Sequence, residues 1–159
     1  AGTDLGPQAF LEAKRMAPAT DLATWARETI EDGCLGETIA AAEAHVAAQQ
    51  SEDPVVRDVL LGIAEDETRH AELAWKILRL ALQAGGEEVA TVARTTLATL
   101  AVRQQSPSED RNADLIQHGI LGAGASARLR TKVINVVVQP CLERLLQTLP
   151  GEACEVQVP

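Results

Sequence analysis

The chain lacks tyrosine and holds only one phenylalanine and two tryptophans, so aromatics make up 2% of its 159 residues. Its apolar fraction of 46% is therefore carried mainly by Ala, Leu and Val. Ala and Leu are strong helix formers, and few segments alternate with period two, so an all-α fold is expected. No apolar run reaches the ~18 residues of a membrane span. Positive charge is in the minority, with 14 Lys and Arg against 23 Asp and Glu and a formal net charge of -9. Such a surface repels phosphate backbones and argues against nucleic acid as a partner.

Cysteine is scarce as well. Cys34, Cys141 and Cys154 are an odd number with no close pair, which excludes a zinc ribbon. Two readings of the first two stand open. They are small buried thiols, or they form a disulfide, which would imply an extracytoplasmic location. No secretory signal is visible, so that location depends on the bridge. Cys154 falls in a polar tail.

The chain divides into an N-terminal arm or linker at 1–19, a helical bundle at 20–150 and a C-terminal tail at 151–159. Asp21 is a suitable N-cap for a first helix from Leu22 to about Gln49. Its inward stripe is Trp25/Ala26, Ile30, Gly33/Cys34, Ala40/Ala41, Ala44 and Ala47/Ala48. Asp53-Pro54 starts a second helix, with Val56, Leu60, Ile63/Ala64, Ala71, Ala74, Leu78 and Ala81/Leu82 inward. Gly85-Gly86 ends it. A third helix follows over about 87–104, with Val89, Val92/Ala93, Thr96 and Leu100 inward. A long connection then holds one helical turn near 114–119. A fourth helix runs from about Ser126 to Leu149, kinked or split at Pro140.

Two positions break the apolar stripes. Glu37 falls within the inward row of the first helix, and Glu67 within that of the second. His70 follows Glu67 by three residues on the same face. The turn between these helices centres near residue 52, with Glu37 fifteen residues before it and Glu67 fifteen after. In an antiparallel hairpin the two carboxylates then share a height to within about one turn. Buried carboxylates brought together need a cation or protons to neutralise them. A mixed carboxylate and imidazole set suits iron or manganese, with zinc as a further option. Glu-x-x-His on its own is common on solvated helix faces; Glu37 at matching height is what raises it to a candidate metal site. Glu28, Glu31, Glu65, Asp66 and Glu72 read as a solvated face, and His45 as a surface residue.

Glu37 with Glu67-Thr68-Arg69-His70 resembles the first half of the ferritin-like di-metal carboxylate proteins, the rubrerythrin and bacterioferritin branch especially. The likeness covers about residues 21–84. It implies an antiparallel four-helix bundle with a long connection before the last helix. It also implies ligation by Glu37, Glu67 and His70, and iron-dependent oxidation by oxygen or peroxide, or ferroxidase activity. The second half departs from the pattern. Residues 87–149 hold no Glu-x-x-His, Ala101 to Gln104 stand where a second motif would face the first, and no tyrosine can serve as a relay.

Three arrangements follow. Two chains could share a di-metal site at a homodimer interface, as encapsulated ferritin-like proteins do, with Gly33, Gly36 and the alanines of the first helix allowing close packing. One chain could hold one metal, with His118 as fourth ligand, or more weakly Glu109 or Asp110. Or the chain is a metal-free helical scaffold or interaction domain, its inward carboxylates paired with Arg69 or Arg103.

Overall fold

The computed structural model describes residues 21–102 and 113–148; the expected arm, the tail, and Arg103, Glu109 and Asp110 lie outside them. The described residues are helical and contain no strand. None of their helices is long and apolar enough to cross a membrane.

Asp21 caps the first helix as expected, its carboxylate accepting from the Thr24 amide at 2.7 Å and the Thr24 hydroxyl at 3.0 Å. Helix α1 (Leu22–Glu28) runs without a break into a π-helical segment (Thr29–Glu37) and on into α2 (Thr38–Gln50). A π turn bonds each amide five residues back and takes up more chain per turn. The buried row steps by four through Ala26, Ile30 and Cys34, then by five across the end of the π segment to Ile39. Ile39 thus takes the inward place expected of Ala40 and Ala41, which are half-buried. Trp25, expected inward beside Ala26, is exposed.

Asp53 caps α3 (Pro54–Val102) through its carboxylate, which accepts from the Val55 amide at 2.8 Å. The first limb of α3 returns along α1 and α2. Gly86 then turns the chain with φ 52 and ψ -134, a conformation that side chains on Cβ disfavour. The second limb is described to Val102, and its expected end near 104 lies outside the described residues. A 3-10 turn (Ala113–His118) sits against the closed end of the hairpin, where the Glu52 amide donates to the Gln117 carbonyl at 2.9 Å. The last rod is α4 (Ala123–Val133), a second π segment (Ile134–Val138) and α5 (Gln139–Gln147). Pro140 has no amide hydrogen, and its ring crowds the carbonyl four residues back. The wide turns of Ile134–Val138 lie where that crowding falls, so the rod continues through the proline.

One core joins these pieces: Ala26, Ile30 and Cys34 meet Leu78 and Leu82 of the first limb, Val89 and Ala93 of the second, and Val138 and Leu142 beyond. Burying each Leu or Ile contributes about 1.5–3 kcal/mol.

The disulfide expectation fails. Cys34 and Cys141 are both free thiols, the first fully buried and the second exposed. Burial, with a smaller effect of Cys141, pushes the Cys34 thiol up to about 12, so it stays protonated and unreactive at neutral pH. With no bridge, the reason for an extracytoplasmic location falls away.

A candidate carboxylate–histidine metal centre

Glu37 is the last residue of the first π segment. Such segments recur at functional sites because they shift the direction of a side chain without ending the helix. One turn earlier, Gly33 lies against Ala74 so tightly that a Cβ on Gly33 would stand 2.5 Å from that of Ala74. Glycine facing alanine lets the two backbones approach, and Ala71 and Ala74 are both buried in the contact. The expectation that Gly33 serves an interface between chains is therefore corrected: its missing side chain is used within the hairpin. Gly36 meets only the Glu31 carbonyl oxygen, at 3.6 Å.

Glu67 and His70 face this crossing from α3. The His70 Nδ1 lies 3.1 Å from Glu67 Oε2. Glu37 and Glu67 are joined by a side-chain hydrogen bond, which holds the Glu37 carboxyl above the ordinary carboxyl range, helped by burial. The same bond, together with that to His70, holds Glu67 below it. One donor atom from each of Glu37, Glu67 and His70 lies within 4.8 Å of the other two. Three donors bound to one ion at ~2.0–2.2 Å stand about 3–4 Å from one another, so small side-chain movements would close this set on a metal. The centre opens to one side: Glu67 is 26% exposed and His70 61%.

Other candidates fall elsewhere. His118 lies in the 3-10 turn at the closed end of the hairpin, its Nε2 3.4 Å from Gln117 Nε2. The fifteen residues between Glu37 and the turn put it roughly 20 Å from the centre, so it cannot be the fourth ligand. Arg69 pairs with Asp66 and not with the inward carboxylates. His45 is exposed, beside Gln49. The acidic face is solvated as expected, with Arg27–Glu31 at 3.2 Å and Lys76–Glu72 at 3.7 Å, pairs that contribute little to stability.

Sequence reasoning missed Asp32, whose charge adds to the upward push on Glu37. It lies five residues before Glu37, a spacing that shares a face only where the helix is widened. Comparison of the chain with protein-family models, curated proteins and solved structures gave no match.

Proposed function

We propose that this chain is a ferritin-like helical bundle that binds a transition metal through Glu37, Glu67 and His70. Iron is the first choice, and manganese or zinc could take its place. The carrying observation is geometric: one donor atom from each of two carboxylates and an imidazole lies within 4.8 Å of the other two, and carboxylates brought this close favour a nearby positive charge. A divalent ion supplies that charge better than a proton, and oxygen donors with one imidazole match iron and manganese. Bound iron would supply a Lewis acid and one-electron redox chemistry, fitting iron oxidation or oxidation by oxygen or peroxide. The residues themselves would hold the ion, exclude Arg69 from it by pairing that residue elsewhere, and leave one side open for a small reactant.

The test is titration of metal-free protein with Fe(II), Mn(II) and Zn(II), followed by calorimetry and metal analysis. Glu67→Gln and His70→Ala should each weaken binding at least ~100-fold, more than the 10–100-fold cost of losing a supporting outer residue. Helical circular dichroism should be unchanged. The rival reading is a metal-free scaffold, and it rests on the three side chains already satisfying one another. Wild-type protein that binds none of the three ions would establish it.

A further inference from the structure

Glu37 owes its direction to the place where the first π segment ends. Its own torsions do not mark that end, since Glu37 (φ -67, ψ -36) and Thr38 (φ -64, ψ -38) are both ordinary helix. The run of 9 residues is long for a form that occurs mostly as single turns. Moving its end by one residue exchanges one set of backbone bonds for another, and turns the residue passed over by roughly 100° about the axis. A turn of that size would take Glu37 off Glu67, so the end of the segment has to be held.

Thr38 grips that end twice. Its amide donates to the Leu35 carbonyl, three residues back. Its hydroxyl donates to the Cys34 carbonyl at 2.6 Å. In a regular α-helix the Cys34 carbonyl would take the Thr38 amide. With that amide directed to Leu35, the hydroxyl bonds the carbonyl in its place. The β-branched side chain is stiff at χ1, which suits it to hold such a bond. Cys34 is fully buried and Ile39 is 4% exposed, so the core anchors on either side of Glu37 stand five residues apart, and Thr38 ties them together. A slip to α pairing would put Thr38 in the inward place of Ile39.

Thr68 is the internal comparison. It follows Glu67 as Thr38 follows Glu37, and its hydroxyl donates to the Ala64 carbonyl at 2.7 Å. The helix is regular there, so the Thr68 amide serves the same carbonyl. The hydroxyl adds a bond and fixes no register.

We infer that Thr38 is a positioning residue: its hydroxyl locks the junction between the π segment and α2, and so aims Glu37 at Glu67. Its effect on metal binding rests on the function proposed above; its hold on Glu37 does not.

The test sets Thr38→Val and Thr38→Ala, which remove the hydroxyl, beside Thr38→Ser, which keeps it, and Thr68→Val. In metal-free protein, nuclear Overhauser cross-peaks between the Glu37 and Glu67 side-chain methylenes should be present in wild type, Thr38→Ser and Thr68→Val. They should be lost in Thr38→Val and Thr38→Ala. Calorimetric titration with Zn(II) should follow the same division. Thr38→Val and Thr38→Ala should bind about 10–100-fold more weakly, the range for removing a group that orients a ligand. Thr38→Ser and Thr68→Val should bind as the wild type does. Thermal melts should fall by similar amounts in Thr38→Val and Thr68→Val, because each loses one half-buried hydroxyl bond; lost stability alone would not separate them in affinity. Whichever of Thr38→Val and Thr38→Ala folds, retention of the cross-peaks or of wild-type affinity in it overturns the inference. So does a Thr38→Ser variant that restores neither, a Thr68→Val variant that loses as much affinity, or a wild type without the cross-peaks. A wild type that shows this pattern of cross-peaks but binds no ion upholds the positioning role and defeats the metal reading alone.

Discussion

The two ends of the long hairpin are packed by different means. Where α3 bends at Gly86, the fully buried side chains are large: Ile30, Leu78, Leu82, Val89, Val138 and Leu142. Toward the end closed by residues 51–53, the buried apolar positions are Ala44, Ala47, Ala48 and Ala64, and none of these belongs to the main core. Large branched chains bury area, at about 25 cal/mol per Å². Alanines bury little but let two helices run close together. The bent end therefore carries stability, and the alanine end carries proximity. Glu37, Glu67 and His70 lie between the two, near enough to the tight crossing for their donors to meet and far enough from the core to remain half open.

The largest effect that follows is at the bent end. Leu78→Ala should cost about 2–5 kcal/mol in urea unfolding, from lost transfer energy and the cavity left behind. Ala64→Gly, at the other end, should cost only about 0.5–1 kcal/mol, the ordinary penalty for glycine within a helix. Folded Leu78→Ala should keep its full metal capacity. Equal losses from the two substitutions would erase the distinction between the ends.

Gly33→Ala tests the junction. The new Cβ would press on that of Ala74, and neither atom is the tip of a flexible chain. Overpacking of this kind costs about 1–3 kcal/mol, and it should move Glu37 away from Glu67 and weaken metal binding in parallel. Gly36→Ala is the matched comparison, because its Cβ meets only ordinary contact and alanine favours the helix. Calorimetric metal titration and thermal melts on both variants should separate them clearly. Similar losses in the two would show that the crossing at Gly33 does not position the centre.

Much of this was legible from residue spacing alone. Helix starts at Asp21 and Asp53-Pro54, the break at Gly86 and the helical turn near 114–119 all have local chemical causes, so the sequence states them directly. The meeting of Glu37 with Glu67 was legible because a hairpin fixes heights by counting from its turn. What could not be read was any phase change within a helix. The π segment Thr29–Glu37 moves the buried row onto Ile39, and no single residue type announces such a segment. The exposed apolar side of α3 was hidden for a different reason. The first limb of α3 is apolar on two sides, and periodicity cannot tell a side that meets the core from one that stays exposed; hence Ile63 read as inward. His118 failed as a ligand because its distance depends on where the connection lands, which helical spacing does not govern.

The smallest expected effect concerns protons at the carboxylate pair. In metal-free protein Glu37 is raised and Glu67 lowered about the ordinary carboxyl value of 4.5. A raised carboxyl contributes stability that is present below its unfolded value and is lost as pH rises through the folded one. A lowered carboxyl contributes stability that is present above its unfolded value and is lost as pH falls through the folded one. Together they give the metal-free protein a shallow stability maximum near the ordinary carboxyl range. The maximum should be shallow because the pair is half open to solvent. Metal needs both carboxylates free of protons, so the ion should move the maximum toward neutral pH, and binding should release about one proton just above the ordinary range. Thermal melts across pH 3–8, with and without Zn(II), read both effects. Glu37→Gln should abolish the metal-free maximum and the released proton. A released proton that persists in that variant would mean that Glu37 is not the group that holds it.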